Sequence, residues 1–301
     1  MILAEVELLK IAFLIAAHND IEHLRKLVPT LQNHDVFIHW DAKSGIQPQI
    51  DNVTFTSKRI SVFWAGFSQV DATMELIQAA LNKGEKYDKY VLLSGSCFPI
   101  KPIYELENLF RNDGNKNYLK AIKVADADFM QAQVVKNIWR DAILPLNIKR
   151  TDLVQKIERI IRFGLNKILN FTNKKSIDME IYHGSNWWAL NHESILYALK
   201  VYKDCPEVVK FFKFTFASDE KIFHTVIRNS IHVNECDEYS EFTGRGTYKM
   251  ANLHIVDPSL AKWFTLKDYE QICKSDKFFV RKVRTQDGSE LVEKIMKELL
   301  Q

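Results

Sequence analysis

The first hundred residues alternate short apolar runs with stretches of helical spacing, and this alternation is the feature that most restricts the fold. One apolar run covers residues 11–17, and the apolar residues of 21–31 then recur at helical spacing. Further apolar runs follow at 36–40 and 90–93. Alternating strands and helices predict an α/β fold with a Rossmann-like, mostly parallel central sheet flanked by helices. Because ligands bind at the carboxyl ends of such strands, functional loops are expected where these runs end.

The length and charge of the chain exclude several classes of protein. Its 301 residues, 47% of them hydrophobic, can bury a large core, and one domain over residues 1–301 is the simplest prediction. A net charge of +3 is far from that of a general nucleic-acid-binding protein. Neither a membrane-spanning run nor a signal peptide is recognisable, so a cytoplasmic location is expected. Four scattered cysteines without a CxxC pair predict neither a zinc site nor a disulfide framework.

A basic amphipathic stretch covers residues 149–175. Its basic residues outnumber its acidic ones, Asp152 and Glu158, and they are Lys149, Arg150, Lys156, Arg159, Arg162, Lys167, Lys174 and Lys175. Such a helix either packs on the core with its basic face in solvent or lies on an anionic membrane surface. The second interpretation places the protein at the inner face of the cell membrane. The sequence leaves both interpretations open.

Three segments carry side chains suited to chemistry. Asp219 and Glu220 precede an apolar helical pattern, where carboxylates suit the first turn of a helix. A tryptophan pair beginning at Trp187 follows a tight turn, and aromatic faces suit both sugar rings and core packing. Arg281 and Lys282 close an aromatic run and can neutralise a diphosphate, although most such pairs are solvated surface. Each signal is weak when taken alone.

Several shorter patterns give structural expectations. Ser68 and Ser218 each precede a helical pattern and are predicted to act as N-caps. Asp126-Ala127-Asp128 matches the acidic pattern that holds a divalent ion on a diphosphate, but so short a pattern arises readily by chance. Six histidines show no metal-ligand spacing, and most of them are expected to be ordinary hydrogen-bonded side chains: His18, His39, His183, His224, His232 and His254.

Eight short blocks, in a fixed order along nearly the whole chain, resemble the motifs of one enzyme family. They lie at residues 11–18, 38–43, 64–68, 93–101, 184–187, 219–226, 254–257 and 278–282. In this order they resemble glycosyltransferase family 14, which includes core-2 β-1,6-N-acetylglucosaminyltransferases and peptide O-xylosyltransferases. The chain looks like a compact bacterial relative that takes part in surface-glycan assembly.

The resemblance implies a GT-A fold and an inverting, metal-independent transfer without a cofactor. Glu220 matches the catalytic base of the family, Lys282 its principal phosphate-binding lysine, and Asp41 a carboxylate that contacts uracil. The residues expected around the nucleotide and its phosphates are Ala17, His18, Asp41, Lys262, Arg281 and Lys282. Those expected around the donor or acceptor sugar are Gly95, Ser96, Cys97, Ser185, Asn186, Trp187 and Asp219. Residues 1–115 would then bind the nucleotide, while 116–301 would bind the acceptor and carry the base.

Two positions depart from the family pattern. Cys97 stands where family members commonly have an aspartate, so contacts to the donor sugar or acceptor are expected to differ there. Asn186 replaces the aspartate of the xylosyltransferases, which lowers the expectation that xylose is the donor. N-acetylglucosamine from a UDP-sugar is therefore the first expected donor, and a glycan or lipid-linked saccharide is the expected acceptor. Xylose, glucuronic acid, glucose and galactose remain alternative donors.

Three other functions compete with this hypothesis. A relative that binds glycans or nucleotides without turnover would not need the base Glu220. A metal-dependent transferase would use Asp126 and Asp128, and a chelator would inhibit it. A hydrolase needs two carboxylates about 5–10 Å apart across the sugar, whereas Asp219 and Glu220 are adjacent and would point about 100° apart on a helix. The sequence favours the transferase, with no nucleic-acid partner.

Overall fold

A five-stranded, mostly parallel sheet forms the centre of the protein in a computed structural model that describes residues 9–31, 33–131, 152–169, 176–241 and 250–301. The strands are β1 (Ile11–Ala17), β2 (Asp35–Trp40), β3 (Thr54–Phe55), β4 (Lys89–Ser94) and β8 (Ala189–Asn191). Their order is β3-β2-β1-β4-β8, and every pair is parallel except β4 with β8. The predicted α/β fold with its mostly parallel sheet is confirmed.

Two smaller sheets flank the central one. The first joins β5 (Cys97–Pro99), β9 (His254–Val256) and β10 (Phe279–Arg281), with β10 in the middle, antiparallel to β5 and parallel to β9. The second is an antiparallel pair, β6 (Ala121–Lys123) and β7 (Tyr182–Gly184). Since Arg281 pairs with Cys97, the end of β10 lies beside the loop that leaves β4.

Helices cover both faces of the central sheet. Those described are α1 (Ile21–Leu27), α2 (Ser68–Asn82), α3 (Ile103–Asp113), α4 (Asp128–Gln131), α5 (Asp152–Leu169), α6 (His192–Asp204), α7 (Pro206–Lys213), α8 (Ile222–Arg228), α9 (Tyr269–Cys273) and α10 (Thr285–Glu298). Alternate residues of β1 enter two separate cores, because successive strand side chains point to opposite faces. Leu14 packs in the core that includes α2, α6, α7 and α8. Phe13 packs in the core that includes α1, α3, α9 and α10.

The two serines predicted as N-caps take other roles. Ser68 is the first residue of α2 rather than its cap, and its hydroxyl accepts a hydrogen bond from the Phe63 N–H (2.9 Å). The Ser218 hydroxyl donates to the carbonyls of Phe212 (2.7 Å) and Thr215 (2.8 Å), and α8 begins further along the chain. Both predictions are wrong because backbone groups outside the helices that these serines precede engage the hydroxyls.

The two halves of the chain share their sheets. Strand β8 completes the central sheet of the first half, and β10 pairs with β5. The division of binding roles between residues 1–115 and 116–301 stays a prediction. Residues 149–151 and 170–175 of the basic stretch lie outside the described residues, and α5 covers most of the remainder. Within the ranges given above, no helix is long and apolar enough to cross a membrane.

Gly184 is the point where β7 packs against α8. A Cβ atom added at this position would lie 2.2 Å from the Lys120 carbonyl oxygen and 2.4 Å from Nε2 of His224. The Tyr182 N–H donates to the Thr225 hydroxyl of α8 (3.1 Å), which holds the same two elements together. Only glycine fits at this distance without movement of the backbone.

We expect Gly184→Ala to lower the free energy of unfolding by about 3 kcal/mol, because the added methyl group overpacks this contact. Gly164→Ala in α5 is the matched control, since no heavy atom lies within 4 Å of the position that its Cβ would take. The control should leave stability unchanged or raise it by up to about 1 kcal/mol. Urea denaturation measures both effects, and a Gly184→Ala protein as stable as wild type would contradict the packing of β7 on α8.

Candidate active site

A cleft of about 680 Å³ opens between several parts of the chain. They include the 3-10 turn Ser218–Glu220, the turn before α2, the loop after β7, the loop after β9 and the end of β10. The predicted site residues that line it are Ser185, Asn186, Trp187, Asp219, Glu220, Lys262, Arg281 and Lys282. Residues far apart in the sequence therefore share one cavity.

A hydrogen-bonded turn before α8 presents Glu220 to the cleft. Ala217 adopts a left-handed conformation (φ 48°), and its N–H donates to the Ala65 carbonyl (2.9 Å). The Lys221 ammonium, only 1% exposed, donates to the carbonyls of Phe216 (2.9 Å) and Ala217 (3.2 Å). These bonds hold the carboxylates in a 3-10 turn, so the helical turn that they occupy is of the 3-10 type and comes before α8.

The two carboxyl groups of this turn are hard to ionise. Burial raises the pKa of Glu220 to about 7, and the neighbouring Asp219 carboxylate adds to the shift. Burial also raises the pKa of Asp219. The cations Lys221 and Arg281 oppose both shifts, because positive charge favours the ionised forms. Since 30% of the Glu220 side chain stays exposed, a carboxyl group able to bind a proton near neutral pH is open to a ligand.

Cations at the end of β10 form the opposite side of the site. The Arg281 guanidinium lies 4.4 Å from the centre of the Trp187 ring and donates from Nε to the Ser94 hydroxyl (3.2 Å). Burial lowers the pKa of Lys282, and the nearby Arg281 and Arg284 lower it further. An anion would relieve this crowding of positive charge. Lys262 also lines the cleft.

Lys262 differs from the β10 cations because it already has an acidic partner. Its ammonium donates to the Asp268 carboxylate at 2.6 Å. For Lys282, by contrast, no carboxylate lies within 4.0 Å among the residues that the structure describes. Lys282 is therefore the cation more available to a bound phosphate.

Three further predicted residues meet at the carboxyl ends of β1 and β2. The Asp41 N–H donates to the Ala17 carbonyl (2.9 Å), and the Asp41 carboxylate accepts from the Lys43 ammonium (2.7 Å). His18 lies within electrostatic range of Asp41, Lys43 and Arg281. None of the three predicted residues lines the cleft itself. Because Arg281 lies near both His18 and Glu220, it joins this second cluster to the cleft.

The loop after β4 supports the site from behind. Gly95 packs on Ala17, where an added Cβ would lie 2.9 Å from the Ala17 methyl group. The Ser96 carbonyl accepts from the Val283 N–H (2.9 Å). Cys97 is fully buried, and its thiol lies 3.3 Å from the Ser94 hydroxyl that Arg281 contacts. Because the thiol is buried in the core, it does not line the cleft, and the expectation that sugar contacts differ at Cys97 stays a prediction.

The acidic pair Asp126 and Asp128 does not line the cleft, although Met130 of the same short helix as Asp128 does. Both side chains are exposed, in a 3-10 turn and at the start of α4, and neither lines the cavity. Across the described ranges, no three His, Cys, Asp or Glu side chains form a group able to hold a metal ion. The position of this pair does not support a metal-dependent site at the cleft.

Five of the six histidines named above divide into two groups, and the sixth, His18, lies near Asp41 as described above. His39 accepts from a backbone N–H (2.8 Å) and His232 contacts a carboxylate (3.0 Å), as expected of ordinary hydrogen-bonded side chains. The ring nitrogens of His183, His224 and His254 are buried and have no hydrogen-bond partner among the described residues, so the expectation is wrong for these three. Of the three, only His183 lines the cleft.

The sequence hypothesis also assigned no role to two other residues that line the cleft. Lys221 directly follows Glu220, and this adjacency is the only sequence signal of its position. Trp64 is 77% exposed at the cleft and packs edge-on against Phe216, with ring centres 5.6 Å apart. The block at 64–68 drew attention to Trp64 without giving it a function.

Comparison with known proteins identifies the family. A family model described as the Core-2/I-Branching enzyme matches residues 11–263, most of the chain. The chain belongs to the Core-2/I-branching enzyme family. The predicted resemblance is confirmed, and the match contains most of the cleft, including Glu220 and Lys262. Arg281 and Lys282 lie beyond it.

Curated relatives of this family member are xylosyltransferases of low identity. The xylosyltransferase oxt of Drosophila pseudoobscura pseudoobscura is 23% identical over 262 residues, which cover 82% of this chain and 26% of the relative. The xylosyltransferase 2 of Canis lupus familiaris is 25% identical over 236 residues, which cover 73% of this chain and 25% of the relative. The chain thus spans about a quarter of the length of these curated relatives.

Solved glycosyltransferase structures superpose weakly on the chain. The bifunctional glycosyltransferase WbbM is 11% identical with a TM-score of 0.34, covering 92% of this chain and 46% of WbbM. Mouse xyloside xylosyltransferase 1 is 10% identical with a TM-score of 0.32, covering 90% of this chain and 97% of the mouse protein.

Proposed function

We propose that this family member is an inverting glycosyltransferase of the GT-A type, which transfers a sugar from a UDP-sugar to a hydroxyl of a glycan or lipid-linked saccharide. One observation carries the proposal. A single cleft holds a partly exposed carboxyl of raised pKa, on Glu220, together with the cations Arg281 and Lys282. Such a pairing suits a reaction that removes a proton at one point and releases an anion at another.

Each group has a defined part in this reaction. Glu220 takes the proton of the acceptor hydroxyl while the acceptor oxygen forms its bond to the anomeric carbon. The bond from that carbon to the diphosphate oxygen breaks on the opposite face, so the configuration inverts. Arg281 and Lys282 stabilise the negative charge that develops on the departing UDP, in the place that a metal ion would otherwise fill. Lys262 would also stabilise this charge once its ion pair with Asp268 breaks.

The donor we propose first is N-acetylglucosamine, with xylose as the main alternative. The xylosyltransferase relatives favour xylose. Asn186 favours a different donor, because it replaces the aspartate of the xylosyltransferase pattern and its buried Oδ1 accepts no hydrogen bond from the described residues. An amide offers both donors and an acceptor to a sugar, whereas a carboxylate only accepts. Glucuronic acid, glucose and galactose are further alternatives.

The first test is Glu220→Gln, which keeps the shape of the side chain but cannot accept the proton. We expect the variant to lose at least about 100-fold in kcat while its affinity for the donor stays within about twofold. In the wild-type protein, kcat/KM should fall as the pH drops below about 7, because protonated Glu220 cannot act as a base. Enzyme assays and donor-binding calorimetry measure these effects.

Glu290→Gln is the matched control, because Glu290 is an exposed glutamate on α10 outside the cleft. Its kcat should equal that of the wild-type protein. Near-normal turnover by Glu220→Gln would show that Glu220 is not the base. An equal loss of kcat in Glu220→Gln and Glu290→Gln would show that the effect does not come from the cleft.

We further propose that α5 contacts an anionic phospholipid surface, which would bring the cleft to a lipid-linked acceptor. Leu153, Ile157 and Ile160 recur at helical spacings on α5, and they are 67%, 41% and 71% exposed. The basic residues Lys156 and Arg159 are exposed beside them. An apolar stripe flanked by positive charge suits the interface of an anionic membrane.

This contact is tested by sedimentation with phosphatidylglycerol and phosphatidylcholine vesicles. We expect binding to phosphatidylglycerol only, with a loss of at least about tenfold in Ile160→Glu, because the substitution removes apolar area and adds repulsion. Leu196→Glu on α6, where Leu196 is 40% exposed, is the control and should bind like wild type. Equal binding by both variants, or none by the wild type, would contradict the proposal.

A further inference from the structure

His183 lies next to Glu220 in the cleft wall. It stands on β7, is 3% exposed, and its Nε2 lies 4.0 Å from Oε2 of Glu220. Neither ring nitrogen has a hydrogen-bond partner among the described residues. A buried polar group without a partner is costly, so its retention in a cleft indicates a partner that arrives with a ligand or a small movement.

The backbone around His183 is held by neighbouring elements. His183 pairs with Ile122 of β6, and the next residue, Gly184, packs directly on the His224 ring. The imidazole itself is almost fully buried. Burial lowers the pKa of His183 well below its ordinary value, and the nearby Lys221 and His224 lower it further. A neutral imidazole has one N–H donor and one acceptor nitrogen.

We propose that His183 is a positioning residue for Glu220, whose carboxylate receives a hydrogen bond from the Nε2–H of His183 while the acceptor is bound. This inference rests on the proposed role of Glu220 as the base. In the structure, Nε2 of His183 and Oε2 of Glu220 are about 1 Å further apart than the two atoms of a hydrogen bond. Catalytic hydrogen bonds are often this long before the substrate binds. The bond would orient one carboxylate oxygen and leave the other to take the proton.

Four groups then govern the ionisation of Glu220. Within its own turn, Asp219 disfavours the carboxylate and Lys221 favours it. Arg281 of β10 favours it as well. His183 of β7 adds a neutral donor, which stabilises the charged form without adding a net charge. Removal of that donor should make the carboxylate less stable, so Glu220 would bind its proton up to a higher pH.

The test compares His183→Phe with His183→Gln, because glutamine keeps an N–H donor and phenylalanine keeps only the ring. In His183→Phe, the acid limb of the kcat profile should move up by about one pH unit, and kcat at pH 6.5 should fall about tenfold. At pH 9 its kcat should approach that of the wild-type protein. His183→Gln should show less than half of the shift, and the donor KM should stay within about twofold in both variants.

Other outcomes overturn the inference. A loss of kcat that is the same at every pH indicates a merely structural role, and a raised donor KM with an unmoved acid limb indicates a contact to the sugar. An unchanged pH profile of kcat in His183→Phe would show that His183 has no role in the reaction. Full activity of Glu220→Gln would instead refute the proposed function. In that case carbon-13 NMR titration of the Glu220 carboxyl, assigned with Glu220→Gln and recorded with the assay acceptor bound, still decides: a higher pKa in His183→Phe supports the contact, and an equal pKa overturns it.

Discussion

The placement of the Glu220 carboxyl in a poorly hydrated turn is the physical constraint on which the site depends. Burial disfavours its charge, and Asp219 beside it adds repulsion, so the carboxyl binds a proton near neutral pH. The Lys221 ammonium is buried in the same turn and spans two carbonyl groups, which supplies both the turn geometry and an opposing charge. Its positive charge favours the ionised forms of both carboxyl groups.

The rest of the fold brings the other charges to this turn. The guanidinium of Arg281 reaches the cleft because β10 pairs with β5, and the Trp187 ring and the Ser94 hydroxyl hold it there. The turn, the loop after β7 and the end of β10 lie far apart in the sequence, so the site exists only in the folded chain. Such an arrangement places the carboxyl group and the cations before a ligand arrives, and groups fixed in advance stabilise developing charge most effectively.

The sequence predicted the parts of the fold that have a local pattern. Strands β1, β2 and β4 and helix α2 each extend over six or more residues. The hydrophobic pattern of so long a segment was sufficient to predict each of them. The three-residue strand β9 carries no periodicity, and pairing with the distant strand β10 determines it. The N-cap predictions at Ser68 and Ser218 failed for a similar reason, since backbone groups of other segments engage both hydroxyls.

The same distinction applies to the site. The motifs of the family indicated Glu220, Arg281 and Lys282, all of which line the cleft. The role of His183 could not be predicted, because it follows from burial, from the missing partners of its ring and from the nearness of Glu220. The burial of Cys97 is likewise a consequence of packing. Motifs therefore identified the charged groups, while tertiary structure determined the groups that position them.

The most direct test of the account is calorimetric titration of the purified protein with UDP and UDP-sugars in EDTA, because the central claim is that side-chain cations bind the diphosphate. We predict that a UDP-sugar binds in EDTA, that Lys282→Ala weakens the binding of UDP about tenfold or more, and that Lys297→Ala, at an exposed position on α10, does not. Binding that requires manganese, or equal affinity of the Lys282→Ala and wild-type proteins for UDP, would contradict the account.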